Sequence, residues 1–274
     1  MIKQFVALGG LPRTGSTLLS AILSQNPEIH AEGNSAVCQL MWDMQQSISN
    51  HQQVKASNRN MFDDLIKPIP HSYYTGITKP IVVDTCRSWP LPANMEILNR
   101  YFDNKPKVIV LVRPLDEILI SFQSLREKNG WADDLNKEAT ERGLDDGTEP
   151  IMRPLAGVEW ARKNNTGEFL FLTYNLLVDD TQGSLDRIYE HCGWQPFKHN
   201  LKNIVNNYNV NDVAVYGLAG LHDIRPTIGK RILDTKITDK LADKCAQLDD
   251  WAMGENYYLK NSNIQCKIDT NGGI

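Results

Sequence analysis

Residues Gly10-Leu11-Pro12-Arg13-Thr14-Gly15-Ser16-Thr17 form a glycine loop with the spacing of the phosphate-holding pattern G-x-x-x-x-G-K-[ST], except at one place. Ser16 stands where that pattern has its lysine, and the loop carries Arg13 instead. Such a loop holds phosphate because successive backbone N–H groups point inward and the helix that follows adds partial positive charge behind them. A nucleoside-triphosphate enzyme uses the lysine on the β- and γ-phosphates, with Mg²⁺ held between a hydroxyl and an acid. With arginine in place of that lysine, the loop suits a donor whose phosphate is gripped by the amides of Thr14 and Gly15, the hydroxyls of Ser16 and Thr17, and the Arg13 guanidinium.

The surrounding pattern says how such a loop is held. An apolar run at 5–8 predicts a buried strand, and Leu18, Leu19, Ile22 and Leu23 recur at helical spacing after the loop. Residues 79–84 predict a second strand ending on Asp84, with Arg87 in the loop beyond it. Residues 107–112 (Lys-Val-Ile-Val-Leu-Val) are the clearest strand, apolar and β-branched as at the centre of a parallel sheet, and they run into Arg113. A helix presenting Leu115, Ile118, Leu119, Phe122 and Leu125 follows. Residues 169–174 predict a further strand ending on Tyr174. Residues 151–164 read as helical, residues 50–78 as polar and turn-rich, and residues 211–235 as irregular. Alternating strands and helices predict an α/β fold with a central, mainly parallel sheet flanked by helices. Ligands in such sheets sit at the carboxyl ends of strands, where Arg13, Asp84, Arg87, Arg113 and Tyr174 all fall.

Taken together, Leu11-Pro12-Arg13-Thr14-Gly15-Ser16-Thr17-Leu18-Leu19 and the segment 108–122, Val-Ile-Val-Leu-Val-Arg-Pro-Leu-Asp-Glu-Ile-Leu-Ile-Ser-Phe, resemble the motifs of the PAPS-dependent sulfotransferases, a family with a P-loop-like fold. The resemblance implies that the glycine loop holds the 5′-phosphosulfate of PAPS. It also implies that Arg113 and Ser121, eight residues apart, hold the donor's 3′-phosphate, and that Tyr174 lies near the adenine. A sulfuryl group would pass to a hydroxyl or amine of a small-molecule, glycan or lipid acceptor, leaving PAP. Arg225 or Lys230 sits where a later donor-contacting segment of the family falls.

The lysine and histidine that cytosolic members carry after the second strand are absent from Asp84-Thr85-Cys86-Arg87-Ser88-Trp89-Pro90. Asp84 is therefore the preferred base, with Arg87 orienting the acceptor or the transferring group. Glu32 is the alternative, as the nearest equivalent of the glutamate other branches use. Asp84 also reads as a strand-end carboxylate paired with Arg87, and Glu32 as a solvated turn residue. Two rival readings remain beside the sulfotransferase: a divergent P-loop kinase, disfavoured by Ser16, and a catalytically silent nucleotide-binding protein.

Composition narrows the class. The 274 residues hold no linker and predict one domain, with the acidic, glycine-containing stretch 129–149 as a surface insertion or lid. A net charge of −4 leaves no electrostatic footprint for nucleic acid. No apolar run approaches membrane-spanning length, and the first residues lack the pattern of a secretory leader. Five scattered cysteines and six unclustered histidines predict a reduced, cytoplasmic protein with no metal site.

Overall fold

A computed structural model describes residues 2–57, 63–102, 105–145, 150–208, 210–230 and 233–249. Five strands, β1 (Gln4–Gly10), β2 (Ile29–Ala31), β3 (Ile81–Thr85), β4 (Lys107–Val112) and β5 (Phe169–Thr173), form one sheet in the order β2-β3-β1-β4-β5. Every pairing is parallel. From β1 the chain passes to the edge strand β2, returns through β3 beside β1, and then crosses to β4 and β5 on the other side of β1, so the loops after β1 and β4 leave the sheet side by side at its carboxyl end. That places the glycine loop next to Arg113.

The alternation of each strand divides the core between two faces. Phe5, Ala7, Val82, Val108, Val110 and Val112 pack on one side against the helices Val37–Asn50, Pro92–Tyr101, Leu115–Lys128 and Met152–Lys163. Val6, Leu8, Val83, Ile109, Leu111 and Leu172 pack on the other against Ser16–Leu23 and Thr181–Cys192. Leu8, Ile22, Ile109 and Leu111 are wholly buried, and truncating any of them to alanine costs about 2–5 kcal/mol.

The stretch at 50–78 contains the short helices Gln52–Ala56, Asp63–Ile66 and Pro68–Tyr73, and the irregular segment after 210 contains Asp212–Tyr216. The described part of the stretch read as a surface insertion or lid runs from 129 to 145. It folds into the helix Asp133–Glu141 and the 3-10 turn Arg142–Leu144, burying Asn136, Thr140 and Leu144 against the body. Met61, Phe62, Gly147, Ala252 and Cys266 lie outside the described residues.

Candidate active site

The loop after β1 is built around backbone that few side chains tolerate. Gly10 has φ 112°, and a Cβ there would meet the Leu111 carbonyl oxygen at 2.1 Å. Gly15 has φ 85° and caps the helix Ser16–Leu23 with no side-chain bond, leaving the first helical N–H groups to a ligand. Between them Arg13 adopts φ 59°, a left-handed conformation uncommon for a branched-out side chain and concentrated at binding sites. The buried Thr14 hydroxyl donates to the Leu11 carbonyl at 2.8 Å, bracing the turn.

Arg13 is the node of the site. Its Nε donates to Ser121 Oγ at 3.1 Å, its Nη1 donates to the Leu221 carbonyl, and its guanidinium lies 5.9 Å from the Phe122 ring centroid. Arg113 Nη1 donates to the Arg13 carbonyl oxygen at 3.0 Å. Arg113 and Ser121 are thus brought to the same loop residue. Arg113 also donates from Nε to Glu117 at 2.8 Å and lies over the Tyr174 ring at 4.1 Å. Tyr174 in turn packs against the loop, its Cδ2 3.5 Å from where a Cβ on Gly15 would stand.

These groups open into one cavity of about 880 Å³, within the range of small-molecule sites. Arg13, Gly15, Ser16, Thr17, Arg87, Arg113, Ser121, Tyr174 and Arg225 all line it. Arg225 is exposed and bonds to the Gly229 carbonyl. Lys230 pairs with Asp179 at 2.7 Å and is outside the lining.

The two carboxylates read from the sequence as bases are elsewhere. Asp84 is wholly buried, and it accepts from Ser35 Oγ at 2.5 Å, Tyr74 Oη at 2.6 Å and Trp89 Nε1 at 2.7 Å. Burial pushes its carboxyl up, against the pull of those three donors. It neither lines the cavity nor pairs with Arg87, which is exposed and does line it. The reason is parity: Asp84 shares its face of β3 with Val82 and so points into the core under Trp89 and Tyr74. Glu32 accepts from His30 Nε2 at 2.8 Å and is outside the lining, although its neighbours Gly33 and Asn34 belong to it.

A histidine, unlike those two carboxylates, does line the cavity. His222 lines the cavity beside Leu221, which anchors Arg13. Its Nδ1 lies 2.5 Å from Asp212 Oδ1, and its backbone N–H donates to Asp212 Oδ2 at 2.9 Å. A carboxylate on Nδ1 orients the ring and, in a neutral imidazole, selects the tautomer with its proton on Nδ1. Sequence reasoning stopped at the irregular stretch 211–235, because a pair ten residues apart has no periodic signature.

The model of the sulfotransferase family matches residues 6–198. The chain belongs to that family. The matched span contains the glycine loop, Arg113, Ser121 and Tyr174, while Asp212 and His222 lie past its end. Among solved structures, the chain is similar to the sulfotransferase domain from the curacin biosynthetic pathway, with 14% identity over 92% of this chain and 98% of that one, and a TM-score of 0.51. It is also similar to the sulfotransferase domain from the Synechococcus PCC 7002 olefin synthase, at 16% identity, 89% and 95% coverage, and a TM-score of 0.49. Mouse sulfotransferase SULT7A1 complexed with PAP is a more distant likeness, at 16% identity, 72% and 60% coverage, and a TM-score of 0.42. No curated protein matches by sequence. At 14% identity the first of these likenesses speaks for the fold, a sulfotransferase-type parallel sheet with flanking helices. Among the described residues, no three His, Cys, Asp or Glu side chains are grouped to hold a metal ion, and no helix is long and apolar enough to cross a membrane.

Proposed function

We propose that this protein transfers a sulfuryl group from PAPS to a hydroxyl, or an amine, of an acceptor bound in the same cavity. The observation that carries the reading is the convergence in one cavity of an uncapped helix N-terminus with Arg13, Arg113, Ser121 and Tyr174. The amides and two arginines supply positive charge without a metal, and Tyr174 supplies a flat surface beside them. Those features fit a phosphorylated nucleotide.

PAPS supplies the sulfuryl group, whose bond to the 5′-phosphate oxygen breaks with the electron pair left on PAP as the acceptor oxygen bonds to sulfur. Arg13, Ser16, Thr17 and the loop amides stabilise the charge that collects on that phosphate. Arg113 and Ser121 hold the second phosphate. His222 Nε2 accepts the acceptor's proton, and Asp212 stabilises the imidazolium that results. Asp84 acts at a distance, fixing Ser35, Tyr74 and Trp89 beneath the loop that carries Arg87.

Thermal denaturation tests the donor site directly. A ligand that binds only the folded chain raises the midpoint. PAP alone, in a metal chelator, is expected to raise it, and PAPS with a broad acceptor set is then expected to yield PAP. A rise only with ATP and Mg²⁺ would overturn the reading in favour of a kinase.

A further inference from the structure

One cation in the cavity wall makes its hydrogen bonds to neutral groups alone among the described residues. Arg126 lies on the helix Leu115–Lys128, is 9% exposed, and lines the cavity. Its Nε donates to Asn136 Oδ1 and its Nη2 to Thr140 Oγ1, both at 2.6 Å, and its guanidinium lies 5.8 Å from the Trp131 ring centroid. All of these partners are neutral. Arginine has five N–H donors, so three are left without an acceptor among the described residues. Its Nη1 keeps some solvent exposure, so these N–H groups are open to the cavity the residue lines, where an oxyanion would gain charge-assisted hydrogen bonds.

Its place in the cavity says whose anion that is. Arg126 is five residues past Ser121, about 7.5 Å further along the helix axis, and about 16 Å from Leu115 beside Arg113. The donor's phosphates have their own arginines at the near end. Between the two ends the wall is apolar, with Leu119, Phe122 and Ile151. Arg142 and Asp145 also line the far end, but they are exposed and face Glu138 at 3.5 Å and Lys244 at 4.0 Å.

We propose that the acceptor is an amphipathic alcohol bearing an oxyanion at the end remote from its hydroxyl, and that Arg126 binds that oxyanion. The inference rests on the sulfotransferase reading for which group reacts, and it names the class of molecule that occupies the far end. An uncharged sugar or a plain hydrocarbon alcohol leaves Arg126 uncompensated. A polyanion is poorly matched to the apolar stretch.

The test is a calorimetric titration of the full chain, with and without PAP, using ω-hydroxyalkanoates of about six to twelve carbons and the α,ω-diols of the same lengths. The hydroxy acids are expected to bind about tenfold or more tighter than the diols, the effect of a charge-assisted bond. Arg126→Gln is expected to bring the two series together while PAP affinity is unchanged, and Arg126→Lys to restore part of the preference. Equal binding by the two series, no binding by any hydroxy acid, or a preference that survives Arg126→Gln would each overturn the proposal. Should loss of the Asn136 and Thr140 bonds unfold the variant, the wild-type comparison at low and high salt decides, because an acid preference insensitive to salt also overturns it. Failure of PAP to bind would instead overturn the donor reading, and the same titrations without PAP would still report on Arg126.

Discussion

Arg113 Nε and Glu117 Oε2 meet at 2.8 Å, one helical turn apart, and the pair lays the guanidinium over the Tyr174 ring. A phosphate arriving at Arg113 therefore meets a donor already engaged by a carboxylate. Arg113→Ala is expected to weaken PAP binding by about 30- to 100-fold, the loss of about 2–3 kcal/mol from charge-assisted bonds. Glu117→Gln removes the competing charge and is expected to tighten PAP severalfold. Calorimetry distinguishes the outcomes: weakening by Glu117→Gln would make that carboxylate an orienting support rather than a competitor.

Removal of the base separates chemistry from binding. His222→Gln is expected to lower kcat by about 10²- to 10⁴-fold, the usual size of a general-base contribution, with PAP affinity unchanged. Asp212→Asn keeps a hydrogen-bond partner on Nδ1 but removes the charge that stabilises the imidazolium. It is expected to lower kcat with PAP affinity unchanged. Wild-type turnover in His222→Gln would exclude this histidine from the proton transfer.

The strands and the donor loop were legible because their signals are local. The apolar run at 107–112 and the break at Gly10 and Gly15 dictate a buried strand and a left-handed turn wherever they occur. Asp84 lies near the strand end, but its parity with Val82 puts it on a core face. What the sequence did not disclose was that Tyr74 and Trp89, ten residues before and five after, would roof it with donors. His222 and Arg126 depend on contacts between segments of no regular spacing. Arg126 in addition looks like any charged residue near a helix end until Asn136 and Thr140 fold over it.

The burial of Asp84 makes it a test of folding rather than of turnover. Asp84→Asn puts an amide N–H₂ among three donors, so at least one of Ser35, Tyr74 and Trp89 loses its acceptor. A destabilisation of about 1–3 kcal/mol is expected, lowering the thermal midpoint by roughly 2–4 °C for each kcal/mol. Turnover measured well below that midpoint is expected to survive. A variant of unchanged midpoint with abolished turnover would return Asp84 to the role of base.

Asp249 gives the fold a pH dependence of unusual sign for a carboxylate. It is 5% exposed and accepts from the Leu115 N–H at 2.7 Å through Oδ2, while Oδ1 has no partner among the described residues. Burial, then the nearby Asp116 and Glu117 charges, raise its carboxyl to about 7, against the pull of the Leu115 bond. The folded chain therefore holds this proton more tightly than the unfolded chain, where the ordinary value is 3.8. The stability it contributes is fully present below that ordinary value and is lost as pH rises through about 7. Asp249→Asn keeps an acceptor for Leu115 and removes the titration. The midpoint of the variant minus that of the wild type is expected to grow between about pH 4 and pH 7 and then to level off. A difference that is flat with pH would mean that Asp249 ionises in the folded protein as it does in the unfolded one.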